Sequence, residues 1–350
     1  MEMQKKIDIN RLARENVRQL MPYSSARDEY VSEGEPMIFL DANENPFDNG
    51  LNRYPDPQQR SLKKLLASRK GVDSAQILLG NGSDEVLDLI YRAFCEPGKD
   101  NVITLPPTYG MYKVLADVNA VENREVLLMG NFEPDVHGVL RMADDNSKLL
   151  FLCSPNNPTA NSFSRDSVVT LLKNFPGLIV IDEAYIDFSR EEGWLGELSE
   201  WPNLVITQTL SKAYGLAGIR LGICYASPEI IAILNRIKPP YNVNELTQLR
   251  AFEGVTNTEA VRQTVERILR ERELLQRELG VIDCVREVFP SDANFILARM
   301  DDAGRRYKEL LAMGIVVRNR SGQPLCRNTL RFTVGTPEEN KELIQALKTL

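Results

Sequence analysis

Lys212 stands at the end of an apolar run, NLVITQTLSK at 203–212, and a small-residue loop (AYGLAGIRLG) carries the chain on to Arg220 and Gly222. A lysine there can be a side chain that lays its stem on apolar surface and its head in water. It can also be an amine held beside a ligand. The second reading draws on Gly215, Gly218 and Gly222, which let backbone and ligand approach, and on Arg220, whose guanidinium suits a phosphate. A second aliphatic run, LIVID at 178–182, ends on Asp182, with Tyr185 three residues on. Such a carboxylate can be a helix cap or a loop group; if buried, it needs a cationic partner. Residues 79–85 (LGNGSDE) form a glycine-rich turn before a helix pattern, where free N–H groups attract anions, although the GxxxxGK[ST] spacing is absent. Residues 153–160 (CSPNNPTA) are turn-formers that can also fix an amide side chain, Asn157, at a strand end.

One cofactor uses all of these parts. A Schiff-base lysine, a carboxylate for a pyridinium, and an arginine with a helix N-terminus for a phosphate are what pyridoxal 5′-phosphate requires.

The elements that must position these groups alternate. Strand patterns at 77–79, 101–105, 124–128, 148–153, 178–181, 203–208 and 221–226 are interleaved with helix patterns at 58–70, 84–94, 111–119, 164–174 and 228–236. That alternation predicts an α/β fold with an open, mostly parallel sheet, whose ligands sit where strands end. After about residue 250 the texture changes to a long charged helix pattern at 259–279, short strands near 294–299, 315–318 and 329–334, and a closing helix at 337–350. The division expected is an N-terminal arm (1–36) with one short helix at 9–20, a large cofactor-binding domain (37–250) and a smaller α+β C-terminal domain (251–350). The charges of the 259–279 helix read as a solvated face.

Composition excludes several other chemistries. The 350 residues carry 42 basic and 49 acidic side chains, a net charge of −7, which argues against nucleic-acid or anionic-membrane partners. A single histidine, His137, set among turn-forming residues, cannot build a multi-histidine metal site, and it reads as an exposed loop residue. Five scattered cysteines without CxxC spacing suggest reduced thiols in a cytoplasmic protein rather than disulfides or zinc, so no metal is expected. Neither a secretory signal nor a membrane-spanning run is visible.

With these residues in hand, the chain resembles the fold-type-I, class II pyridoxal-phosphate-dependent aminotransferases, and among them the histidinol-phosphate aminotransferase family. The motifs that carry the likeness span nearly the whole chain: LDANENP at 40–46, RYP at 53–55, GNGSDE at 80–85, PPTYGMY at 106–112, SPNNPT at 154–159, DEAY at 182–185, TLSK at 209–212 and RFTVG at 331–335. The resemblance implies that Lys212, Asp182 and Tyr109 are catalytic, with Lys212 holding the cofactor aldehyde, Asp182 its ring nitrogen and Tyr109 its ring face. It implies that Asn157 and Tyr185 bond the ring's 3′ oxygen, and that Ser83, Asp84, Ser211 and Arg220 hold the phosphate. Tyr54 would reach the phosphate of a neighbouring subunit, which implies a homodimer. Tyr23, Asn43, Arg318 and Arg331 would line the substrate pocket. The implied reaction is transamination between L-histidinol phosphate and 2-oxoglutarate, giving imidazole-acetol phosphate and L-glutamate, in histidine biosynthesis. An aromatic amino-acid aminotransferase or a threonine-phosphate decarboxylase on the same scaffold is the alternative. Ala160 departs from the glycine the family usually places after Asn-Pro-Thr, which matters if the position needs a positive φ.

Overall fold

The computed structural model describes residues 7–23, 27 and 37–350. Seven strands form the main sheet: β1 Ile77–Asn81, β2 Asn101–Thr104, β3 Glu122–Glu125, β4 Ser147–Cys153, β5 Leu178–Asp182, β6 Leu204–Thr209 and β7 Leu221–Ala226. They lie in the order β1-β7-β6-β5-β4-β2-β3. The pairings from β3 through β2, β4 and β5 to β6 are parallel, and β7 is antiparallel to both β6 and β1. The six other strands therefore share one direction. Their carboxyl ends, and the amino end of β7, meet along a single edge.

Continuous aliphatic runs make the inner strands because helices cover both faces of the sheet. In β5 every residue is buried, and the period of two sends Ile179 and Ile181 into one core while Leu178 and Val180 enter the other. Helix Ser83–Phe94 buries Val86, Leu87, Ile90, Tyr91 and Phe94 in the second core.

A second sheet contains β8 Val285–Val288, β9 Phe295–Met300, β10 Arg318–Asn319 and β11 Thr329–Thr333, in the antiparallel order β10-β11-β9-β8. Helices Thr258–Leu279, Ala303–Ala312 and Pro337–Lys348 supply its apolar cover. The last of these starts on a capping box between Thr336 and Glu339, with proline in the first turn. The expected division near residue 250 falls inside helix Glu245–Thr256, whose Ala251 and Val255 pack in the large core.

Several elements differ from expectation for local reasons. The single helix expected at 9–20 is two, Ile9–Leu12 and Glu15–Gln19, separated by extended Ala13 and Arg14. The break lets the Arg14 N–H donate to the Ala93 carbonyl (2.9 Å) and its guanidinium to the Arg92 carbonyl (3.0 Å), capping the end of helix Ser83–Phe94. His137 is exposed, as expected, but it lies in the first turn of helix Val136–Met142 rather than in a loop. Asp135 starts that helix by accepting from the Gly138 N–H (2.8 Å), and a Cβ on Gly138 would stand 2.4 Å from that carboxylate. On the long helix Thr258–Leu279, Arg272 leaves the solvated face. It is buried and donates to the carbonyls of Phe188 (3.1 Å) and Ala293 (2.8 Å), tying the small domain to the large one.

Candidate active site

Asp182 ends β5 and is only 4% exposed. The hydroxyl of Tyr112 donates to its Oδ2 (2.8 Å) and the Ala184 N–H to its Oδ1 (3.2 Å). Burial nevertheless raises its pKa above the ordinary carboxylate value, since those two donors do not replace the lost hydration. The neighbouring Glu183 points to the other face and is spent there, accepting from the Trp194 N–H (2.6 Å) and Gln208 Nε2 (2.8 Å). Of this adjacent pair, Asp182 is thus the carboxylate that faces the cavity.

Lys212 enters the same cavity from the loop after β6, its Nζ 5.5 Å from the centre of the Tyr185 ring. Burial lowers its pKa, and the charge of Arg331 adds to the effect. Both push the amine toward its neutral, nucleophilic form. Tyr185 itself is buried edge-on against Phe295 (5.0 Å between centroids). Across the cavity, Tyr109 donates its hydroxyl to Asp84 Oδ1 (3.1 Å), which fixes its ring.

The anion side is built by close backbone approach. Helix Ser83–Phe94 starts after Gly82 with no side-chain cap, so its first N–H groups are open to a ligand. Gly82 has φ +84°, and a Cβ on it would lie 2.8 Å from the Arg220 guanidinium. A Cβ on Gly222 would come within 2.4 Å of the Ser83 nitrogen. Arg220 directly precedes β7, so the reversed direction of that strand is what brings it to the shared edge. Ser211, whose N–H donates to Thr209 Oγ1 (3.1 Å), completes this side. Of the three loop glycines, Gly215 has φ +65° and Gly222 is packed, while Gly218 shows neither constraint.

The small domain closes the remaining side. Arg331 on β11 donates to Asn157 Oδ1 and lies over the Phe295 ring (5.0 Å). Binding the amide oxygen leaves Asn157 Nδ2 as the donor available to a ligand oxygen. Burial lowers the Arg331 pKa to about 10, with the charge of Arg320 next in size. Arg318 is exposed on β10, directly opposite Arg331 in the register.

One cavity therefore gathers nine of the expected residues: Ser83, Asp84, Tyr109, Asn157, Asp182, Tyr185, Ser211, Lys212 and Arg220. Arg331 touches it through Asn157. Tyr54, Asn43 and Tyr23 are not among its lining residues. Tyr54 stacks on Tyr241 (4.5 Å) and, with Asn43, lines a separate cavity beside Asn244 and Leu246, while Tyr23 is 76% exposed. Sequence reasoning missed Tyr112 as the Asp182 donor, Thr209 as the Ser211 acceptor, and Arg320. The PPTYGMY motif contained Tyr112, but nothing in its spacing marked which tyrosine turns inward.

The buried carboxylate, the neutral-leaning amine and the uncapped helix end suit a phosphate joined to a cationic aromatic ring that carries an aldehyde. Their glycine-lined approach leaves no room for a Cβ where that phosphate would rest against backbone.

Comparison with known proteins agrees. The family "Aminotransferase class I and II" matches residues 39–347. A histidinol-phosphate aminotransferase of Flavobacterium johnsoniae is 63% identical over 344 residues, covering 98% of this chain and 99% of that one. The chain belongs to the histidinol-phosphate aminotransferase family. Among solved structures, the histidinol-phosphate aminotransferase of Clostridium acetobutylicum is similar with a TM-score of 0.79 at 26% identity, over 85% of this chain and 90% of that one. The Sinorhizobium meliloti histidinol-phosphate aminotransferase, solved with pyridoxal-5′-phosphate, has a TM-score of 0.79 at 25% identity, over 85% of this chain and 82% of that one. Fold-type-I architecture accounts for the likeness: a mostly parallel seven-stranded sheet and a separate small antiparallel sheet. Ala160 does occupy the left-handed region (φ +69°), while fully buried. Its carbonyl accepts from the Asp292 N–H (2.7 Å), holding the loop in that conformation.

Proposed function

We infer that this enzyme transfers an amino group between L-histidinol phosphate and 2-oxoglutarate, giving imidazole-acetol phosphate and L-glutamate, with pyridoxal 5′-phosphate as cofactor in histidine biosynthesis. The observation that carries this reading is the convergence of Lys212 and Asp182 on one cavity, with Arg331 held beside it through Asn157. When bound, the cofactor supplies an aldehyde that accepts an amino group and a ring that withdraws electrons from the substrate Cα. The chain's own residues do the rest. Asp182 keeps the ring nitrogen protonated, and the open N–H groups of Ser83 and Asp84, with Ser211 and Arg220, bind the phosphate. Asn157 Nδ2 and the Tyr185 hydroxyl orient the ring through its 3′ oxygen, and Tyr109 covers its face. Lys212 would take the proton from the substrate Cα. Arg331 receives the carboxylate of glutamate or the phosphate of histidinol phosphate, since a guanidinium fork accepts either anion.

The aromatic aminotransferase and threonine-phosphate decarboxylase alternatives are not favoured, because the relative of highest identity reported above carries the histidinol-phosphate name. A transamination assay decides between them. With pyridoxal phosphate present, L-histidinol phosphate and 2-oxoglutarate should turn over with kcat/KM in the ordinary range of about 10⁴–10⁸ M⁻¹s⁻¹. Phenylalanine or threonine phosphate consumed faster under the same conditions would overturn the assignment.

The active unit proposed is a homodimer in the cytoplasm. Ile38, Leu40 and Phe47 are each at least 80% exposed near Tyr54, an apolar surface of the kind that a second copy covers. Tyr54 and Asn43 lie outside their own cavity, which suits donation to a neighbour's, and Tyr23 accompanies them in that role. Sedimentation of the same preparation should give twice 39.6 kDa; a fully active monomer would end the proposal. All five cysteines are buried and free, in keeping with a reducing compartment. Among the described residues no helix is long and apolar enough to cross a membrane.

A further inference from the structure

Arg320 belongs to none of the motifs that mark the cofactor site, yet the small sheet sets it beside two cations. In the β10–β11 pairing Arg318 lies directly opposite Arg331, and the chain continues so that the Arg320 N–H donates to the Thr329 carbonyl (3.0 Å). Residues two apart on an extended segment share a face, so Arg318, Arg320 and Arg331 direct three guanidinium groups to the same side of the sheet. Like charges placed opposite one another are unfavourable. Among the described residues no carboxylate pairs with any of the three, and Asn157 is the one side-chain hydrogen-bond partner of Arg331.

The clearest sign is the Arg320 guanidinium itself. Its Nε is sealed from solvent and has no acceptor among the described residues, an arrangement uncommon in native proteins. Burial weakens the hold of Arg320 on its proton, and the Arg318 charge works the same way. Arg320 in turn adds its charge to those acting on Arg331 and on Tyr185, which lies in the cavity wall. An anion with more charge and more oxygens than a carboxylate would answer all three groups at once. A carboxylate presents two oxygens and one charge, which the fork of Arg331 can satisfy alone. A phosphate monoester brings a third terminal oxygen and close to a second charge.

We propose that Arg320 is a specificity-determining residue that engages the phosphate-bearing substrate and leaves the dicarboxylic partner largely to Arg331. The proposal rests on the aminotransferase reading above and separates the two substrates that this one site must accept.

The test compares holoenzyme of wild type, Arg320→Gln and Arg320→Lys in the two half-reactions measured separately. For L-histidinol phosphate the Gln variant should lose about tenfold or more in kcat/KM, mostly through a higher KM, as expected for one charge-assisted bond. For L-glutamate the change should stay below about threefold, and the Lys variant should recover part of the phosphate-substrate loss. Inorganic phosphate, competing with glutamate, should inhibit the Gln variant about tenfold less well than wild type. Equal losses on both substrates, or an unchanged inhibition constant for inorganic phosphate, would overturn the proposal. Wild-type enzyme that turns over glutamate yet ignores histidinol phosphate would instead sink the functional reading, and the inorganic-phosphate arm would still judge Arg320.

Discussion

Lys212→Ala should abolish turnover of added glutamate, with kcat lower by about 10⁴-fold or more, because the substitution removes both the covalent anchor and the base that moves the Cα proton. No neighbour can stand in for it. Asp182 is committed to Tyr112 and the Ala184 N–H, the hydroxyl of Tyr109 to Asp84, and the pKa of each of the two cavity tyrosines, Tyr109 and Tyr185, is raised, chiefly by burial, so neither readily loses a proton. The cationic members, Arg220 and Arg331, are poor bases because guanidinium groups keep their protons near neutral pH. The variant should still fold, since among the described residues the Lys212 ammonium makes no hydrogen bond, its carbonyl bond from the Gly215 N–H (3.1 Å) needs no side chain, and its stem faces the cavity rather than a core. Single-turnover absorbance after adding glutamate, beside a thermal melt, separates loss of chemistry from loss of fold. Activity within tenfold of wild type would remove Lys212 from its role.

How much of this was legible beforehand follows from where the information resides. The strand ends were readable because a both-faces-buried strand must be a continuous aliphatic run, and LIVID stops where the polar Asp182 begins. The edge strand β3 was misplaced for the converse reason. Its residues, Glu122–Glu125, are polar and partly exposed, whereas the apolar Val126 and Leu128 that drew the strand pattern forward pack in the core beyond its end. Helix Val136–Met142 was hidden by Gly138, which lowers helix propensity but is needed against the Asp135 cap. The reversed strand β7 could not be seen at all, because direction within a sheet is a tertiary property. It explains why Arg220 precedes its strand while Asp182 ends its own and Lys212 follows β6. Arg320 escaped notice for a similar reason: an unpaired, buried Nε exists only once β10 and β11 are zipped. Tyr54, Asn43 and Tyr23 were readable as functional only through resemblance, and a single chain leaves them outside the cavity.

Asp182→Asn should act in opposite directions on the free protein and on the loaded enzyme. In the free protein the carboxyl is buried and its pKa is raised, so its ionised form is less favourable folded than unfolded. The sign follows from linkage. A folded pKa above the unfolded one means that stability falls as pH rises from the unfolded value, and goes on falling until the folded value is passed. A neutral amide of the same shape escapes this fall. Asn can accept from the Ala184 N–H through its oxygen, and its amide can donate to the Tyr112 hydroxyl, so the local bonds survive. The cofactor-free variant should therefore melt no lower than the wild type, and higher at pH 7 than at pH 4 in relative terms. With pyridoxal phosphate bound, the balance reverses. An amide cannot hold the ring nitrogen protonated, so the cofactor loses its charge partner and its power to withdraw electrons, with kcat down by about 10²–10⁴-fold. The added cofactor should also raise the melting temperature less in the variant than in the wild type, as weaker binding to the folded state requires. A cofactor-free variant clearly less stable than wild type would show that Asp182 is held for packing. A loaded variant with unchanged kcat would show that no charge partner is needed at that ring position.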